Sequence, residues 1–427
     1  MYDVLIVGGG ASGFYAAINI AEANANLTIA ILERGKEVLQ KVKISGGGRC
    51  NVTNAETGPK ELVKNYPRGE KELLGPFYTY NNLDTMHFFE KRGVQLKTEE
   101  DGRVFPVSDS SQTIIDCLLN EATRLGIKLY RQSPVTNIEP IKTDNHGNLW
   151  NITTNQNQFQ CKKVLLATGS SPKIWKLVER LGHKIVPPVP SLFTFNINDE
   201  RISGIPGVST HAKVEVLPKN AFSQETTLKS KENRTKKSVL SAEGPLLVTH
   251  WGLSGPVILK LSAWGAILLN DLKYDFLVRI NWLPAYDQKT VLSLLMGLKQ
   301  IKARKTVLKT KAVPIPKRLW GNLVKVSGIS PDEKWADVTK EKLQNLSSQL
   351  TMGKFRVEGK STFKEEFVTA GGIDLREINF KTFESKIHKN LFFAGEVINV
   401  DAITGGFNFQ NAWTGGYIAA QGIAKKT

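Results

Sequence analysis

Residues 2–35 read YDVLIVGGGASGFYAAINIAEANANLTIAILERG, and the order of chemistries in that stretch decides the fold. Tyr2 to Val7 is a short apolar run of the kind a buried strand needs. A glycine turn follows, then an amphipathic helical pattern, then a second apolar strand that ends at Glu33. Strand, turn, helix and strand make one βαβ unit, and the turn Gly8-Gly9-Gly10-Ala11-Ser12-Gly13 fits GxGxxG in the context that motif requires. Gly8 permits the tight turn, Gly10 lets a pyrophosphate approach the backbone, and Gly13 lets helix and strand pack closely. The first helical turn, at Ala11 and Ser12, offers N–H groups without intrahelical partners. Glu33 lies 20 residues beyond Gly13. A carboxylate there accepts from both hydroxyls of an adenosine ribose and repels a 2′-phosphate.

Working outward, the chain returns to α/β character at both ends and departs from it in the middle. The apolar strand KVLLATG delivers Thr168 and Gly169 to a strand end. At VPPVPSLFTFNI prolines cluster and the pattern becomes alternating and β-rich. Residues 285–350 read as short helices broken by Pro314, Pro316 and Pro331. The expected organisation is a dinucleotide domain of residues 1–190 plus 355–427, a β-rich insertion over 191–284, and a helical insertion over 285–354.

The distant C-terminal elements point to FAD rather than NAD as the resident nucleotide. KNLFFAGE ends in Gly395-Glu396, similar to the strand and Gly-Asp element with which two-domain flavoproteins hold a ribityl chain. Asp401 and the loop Thr404-Gly405-Gly406-Phe407-Asn408-Phe409-Gln410 then open a final helix. That helix N-terminus suits a flavin pyrimidine, which becomes negative on reduction.

The runs KVKISGGGRCNVTN (41–54), LLVTHWGLSGP (246–256), VTAGGI (368–373), TFESK (382–386) and GEVINVDAITGGFNFQNAW (395–413) resemble the signatures of the BaiN/RdsA family of NAD(P)/FAD-dependent oxidoreductases, also called the aminoacetone-oxidase family. The resemblance covers nearly the whole chain. It implies an α/β fold: a glutathione-reductase-like, FAD-binding Rossmann domain interrupted by a β-barrel-like domain and a small helical domain. It also places Lys41, Ser45, Gly46, Gly47, Arg49 and Asn51 along the FAD, and Val135 at the adenine edge. Arg34, directly after the ribose acid, is placed to border the adenine. Phe383 stands where the family commonly has Met, and Phe407-Asn408-Phe409-Gln410 where it has Tyr-Asn-Leu-Gln. The family's substrates range from amines to steroid rings, so the resemblance leaves the substrate open.

No second GxGxxG follows a strand, so NADH or NADPH is expected only as a transient co-substrate. Hydride is expected to pass between a small organic substrate and flavin N5, with NAD(P)H or O2 as redox partner. Two residues are candidates for the chemistry. His250 suits proton transfer near neutrality or, equally, the capping of a strand. Cys50 beside Arg49 suits a reactive thiol, but a single cysteine without a partner favours plain packing. No metal site is expected.

Composition bounds the rest. The 427 residues carry 57 Lys+Arg against 40 Asp+Glu, a net charge of +17. Three scattered cysteines exclude a disulfide framework and favour a reducing, cytoplasmic setting. No leader is expected, because the first apolar run leads straight into glycines. Residues 191–354 hold +12 of the charge and the remaining 263 residues only +5. The densest run, KQIKARKTVLKTKAVPIPKR (299–318), has eight basic residues and no acid, and a second cluster spans Lys229 to Lys237. An anionic partner, whether RNA, a membrane surface or an acidic protein, is therefore expected at the insertion if anywhere. The rival function is a flavoprotein that holds nucleic acid there, as tRNA-modifying flavoproteins do.

Overall fold

The computed structural model describes residues 1–141, 149–218, 240–361 and 368–425. The chain divides into two compact units, Met1–Val189 with Lys364–Thr427, and Pro190–Phe363.

In the first unit β1 (Tyr2–Val7) pairs in parallel with β2 (Ile29–Leu32) on one side and β3 (Gln158–Leu166) on the other. Strand β4 (Leu391–Phe393) extends the parallel set beyond β3, and Lys128–Tyr130 extends it beyond β2. The strands are continuous apolar runs because both faces of a parallel sheet are covered. Helix α1 (Ala11–Ala23) differs from its amphipathic reading, since Ser12 through Ala21 are all buried. The sheet covers one side of it and α2 (Phe407–Ala424) the other. At Gly416 the two helices approach so closely that a Cβ would lie 3.0 Å from the Ser12 carbonyl oxygen. This is a Rossmann unit of a mixed α/β protein.

The second unit is a sheet that closes on itself. Strands Ser209–Val216, Ser241–Val248, Asp275–Asn281 and Gly353–Glu358 alternate buried and exposed residues, as a barrel wall with one inner face must. Closure happens at Gly359, at φ +124°. Its N–H donates to Tyr274 (2.8 Å) and its carbonyl accepts from Asn196 (3.0 Å), so one bent strand pairs with neighbours on both sides. The helices Gln288–Ile301, Lys317–Val326 and Lys340–Met352 pack into the same apolar core as the barrel, through Trp320, Leu323, Leu346 and Leu350. Among the described residues no helix is long and apolar enough to cross a membrane.

Candidate functional site

The glycine turn has the geometry its sequence requires. Gly8 sits at φ +112°, and a Cβ there would lie 2.4 Å from the Ala167 carbonyl oxygen. A Cβ at Gly13 would lie 2.0 Å from the Gly8 carbonyl oxygen, whereas one at Gly10 would meet nothing within 4 Å. Gly10 therefore borders open space. It is also the N-cap of α1 and supplies no side-chain cap. The Glu33 carboxylate accepts from Gly9 N–H (2.9 Å) and Gly35 N–H (2.7 Å), which holds it against the turn with a further lone pair on each oxygen. Arg34 is exposed. Ser133 N–H donates to the Glu33 carbonyl (2.8 Å), which brings the segment entering Val135 to the end of β2.

The 41–51 loop joins this turn to the C-terminal segment. Gly46, Gly47 and Gly48 all adopt positive φ, and Cβ atoms at Gly47 and Gly48 would meet nothing within 4 Å. Lys41 pairs with Glu396, whose second oxygen accepts from Thr369 N–H (3.4 Å). A Cβ on Gly169, the residue after Thr168, would lie 3.7 Å from the Glu396 carboxylate. Gly395, at φ +76°, lies against Ser12, whose hydroxyl donates to the Ala394 carbonyl (3.4 Å). With its amide oriented by its partners, Asn51 accepts from Gly406 N–H (2.9 Å) and donates to the Thr53 carbonyl (2.9 Å). Gly406, at φ +94°, caps α2 without a side chain, so the first-turn N–H groups of α2 lack intrahelical acceptors.

Several side chains face inward, to the protein. Ser45 donates to the Val42 carbonyl (2.9 Å). Arg49 stacks on Phe105, 3.9 Å from its centroid, and contacts Glu99 (2.7 Å) and Asp109 (3.5 Å), so two carboxylates already balance its charge. Asp401 is fully buried and paired with Arg68. Asn408 clamps both the N–H and the carbonyl of Ala402. Gln410 accepts from Thr53 (2.6 Å) and donates to Thr414 (2.9 Å). Phe407 accepts from the Tyr66 hydroxyl through its carbonyl (2.6 Å), and Gly405 from the Asn54 amide (3.0 Å). Thr53 and Asn54 stand in the quoted GGGRCNVTN run and were legible as part of it. Arg68 carried no signal, lying in an irregular segment 333 residues from Asp401.

Burial pushes the Cys50 thiol up to about 12, and those of Cys161 and Cys117 to about 12 and about 11. The thiolate is the reactive form, so Cys50 behaves as a packing residue. Iodoacetamide at pH 8 is expected to leave all three cysteines unmodified in the native protein and to label them after denaturation. Native labelling at Cys50 would refute the burial argument. His250 lies exposed in the second unit, in the turn between strands Ser241–Val248 and Gly252–Ser254.

His183 has an acid partner that its sequence neighbourhood does not show. Its ring lies between Glu377 (2.9 Å) and Ser385 (3.0 Å), and burial lowers its pKa although Glu377 opposes the shift. A histidine harder to protonate when folded contributes fully above the unfolded value of 6.5, and that contribution is lost as pH falls below it. The urea midpoint should therefore fall from pH 8 to pH 5, with a shallower fall in His183→Gln. Equal slopes would exclude His183 as the cause.

These residues fit a bound FAD. Two uncapped helix starts, open backbone at Gly10, Gly47 and Gly48, and the Glu33 carboxylate belong to one unit, and the buried Thr369 hydroxyl beside Glu396 has no partner among the described residues. Among the described residues no His, Cys, Asp and Glu side chains gather as a metal-ligand set.

Residues 2–422 match the HI0933-like protein Rossmann domain family. The chain is 29% identical to a ribosomal RNA dihydrouridine synthase of Haemophilus influenzae, over 99% of this chain and 98% of that one. It is 26% identical to a 3-dehydro-bile acid delta(4,6)-reductase of Clostridium scindens, over the full length of both. A solved 3-ketosteroid-delta4-(5alpha)-dehydrogenase of Rhodococcus jostii shares the fold at a TM-score of 0.51, with 12% identity over 100% of this chain and 97% of that one. The chain thus belongs to the HI0933-like Rossmann family of BaiN/RdsA-type flavoproteins and is an FAD-dependent oxidoreductase.

Proposed function

We propose that this chain is an FAD-dependent reductase of a carbon–carbon double bond conjugated to a carbonyl, and that its acceptor is a uracil base of ribosomal RNA. The observation that carries the flavin part is the cradle of the first unit, in which the Gly8–Gly13 turn, the 41–51 loop and the 395–410 segment meet around backbone left open at Gly10, Gly47 and Gly48. FAD, when bound, would supply two-electron chemistry between NADH or NADPH and the acceptor. Glu33 would accept from the ribose hydroxyls, and the starts of α1 and α2 would offer N–H groups to pyrophosphate and flavin. The Lys41–Glu396 pair ties the loop to the C-terminal segment.

The acceptor class follows from what the two named relatives have in common. Making dihydrouridine and reducing a 3-oxo steroid with a double bond in conjugation both add hydride and a proton across C=C beside C=O. One equivalent of NAD(P)H and one proton are consumed, and NAD(P)⁺ leaves. The sequence alone favours a small organic substrate over RNA. We reverse that order, because +12 of the +17 net charge sits in residues 191–354 and an RNA substrate needs cations for its phosphates.

Anaerobic mixing of the holoprotein with NADPH and with NADH should bleach the flavin with at least one of them. Addition of deproteinised ribosomal RNA should then restore the flavin colour and raise the mass of a uridine by two hydrogens. Failure of both nucleotides to bleach the flavin would exclude the reductase reading. Reoxidation by a 3-oxo-Δ4-steroid but not by RNA would move the acceptor to small conjugated ketones.

A further inference from the structure

The basic run of residues 299–318 is built as a fixed surface. Beyond Ile301, three of its apolar members turn inward: Val307 is fully buried, and Val313 and Ile315 nearly so. Backbone bonds hold residues 303–307 of the connecting segment. Val307 N–H donates to Glu333 (3.0 Å), Trp335 N–H to Lys305 (3.0 Å) and Ala336 N–H to Ala303 (3.1 Å). The Trp320 indole donates to the Val307 carbonyl (3.2 Å). Arg304, Lys305, Lys309, Lys311, Lys317 and Arg318 are left exposed and Lys302 half-exposed. None of the seven has a carboxylate partner among the described residues. In the same unit Arg201 is paired with Asp199, Arg279 with Glu215 and Lys342 with Glu333. The one acid beside this segment that faces a cation, Glu333, is occupied by Lys342.

Like charges held on such a surface repel one another, and the 299–318 run itself contains no acid to relieve them. An ordered polyanion would relieve them without ordering the loop first. We infer that the surface formed by Lys302, Arg304, Lys305, Lys309, Lys311, Lys317 and Arg318 grips the phosphate backbone of the RNA substrate. The surface is suited to phosphates and offers no base-stacking platform, since it presents no exposed aromatic side chain. A membrane fits less well: Ile301 is the only large apolar side chain exposed in the 299–318 run, and the cations continue well beyond it. The second basic cluster, Lys229 to Lys237, lies outside the described residues.

The inference rests on the ribosomal RNA reading, and the test separates the two. The full-length holoprotein and an Arg304→Glu/Lys305→Glu/Lys309→Glu/Lys311→Glu variant are titrated with deproteinised ribosomal RNA from low to moderate salt. All four positions are exposed, so far-UV circular dichroism and thermal midpoint should match the wild type, and flavin bleaching by NADPH should be unchanged. The wild type should bind with a steep salt dependence. The variant should bind at least about tenfold more weakly, with a slope shallower by about 3, at roughly 0.7–0.9 for each phosphate no longer neutralised. A matching Lys→Arg variant should bind like the wild type. Tight, salt-dependent binding that the four reversals leave unchanged would overturn the surface and leave the RNA reading standing. No RNA binding by the wild type at low salt would overturn both. Binding to vesicles of phosphatidylglycerol and phosphatidylcholine, but not to RNA, would overturn the inference in favour of a membrane.

Discussion

Replacing Arg68 with methionine is expected to remove about 3–5 kcal/mol of stability, the usual cost of leaving one partner of a buried ion pair uncompensated. Asp401 is fully buried and its carboxylate is held by the Arg68 guanidinium. A backbone bridge joins the same two residues. The pair stands just before the 402–406 loop that opens α2, so its loss should loosen Gly405 and Gly406 as well as the core. The neutral replacement Arg68→Met/Asp401→Asn should recover a large part of the loss, because no charge is then left unpaired. Urea unfolding of the three proteins followed by circular dichroism checks this. A loss below about 1 kcal/mol in Arg68→Met would place the pair among the weak, surface-like ones.

The second large effect separates folding from cofactor binding. Alanine at Gly13 would set a Cβ 2.0 Å from the Gly8 carbonyl oxygen, so α1 must lift from the end of β1. Overpacking of this kind costs about 1–3 kcal/mol or more, and the displaced helix start should release the flavin. Alanine at Gly10 meets nothing within 4 Å, and the backbone there has φ −95°. Gly10→Ala should therefore stay within about 0.5 kcal/mol of wild type while flavin retention falls at least about tenfold, because the methyl occupies space a pyrophosphate needs. Urea midpoints and the ratio of flavin absorbance to protein absorbance read the two quantities. A Gly10→Ala protein that purifies with its full complement of flavin would remove the turn from the cofactor site.

Much of the first unit was legible because its signals are local. A buried strand, a glycine turn and a helix are specified within about a dozen residues, and periodicity with glycine spacing reads them directly. The amphipathic expectation for α1 fails for a simple reason. Its polar positions Ser12 and Asn19 look like a solvated face, but Ser12 donates to the Ala394 carbonyl and Asn19 to the Tyr15 carbonyl, so both are satisfied inside. The second unit was harder. Its strands alternate as expected, but barrel closure depends on Gly359 bonding two strands distant in sequence, Asn196 and Tyr274. Prolines suggested a separate helical segment, yet those helices complete the barrel's apolar core.

The sequence by itself determined the βαβ unit, the acid at the end of β2 and the concentration of positive charge in residues 191–354. These depend on neighbours in the chain or on composition alone. Only the tertiary structure decided how the polar residues are used. It turned Arg49 toward Glu99 and Asp109, joined Arg68 to Asp401, put His183 between Glu377 and Ser385, and left the cations of 302–318 without acids among the described residues. The reason is physical: a charge takes its partner from whatever packing brings within hydrogen-bond reach, and for Arg68 that partner lies 333 residues away.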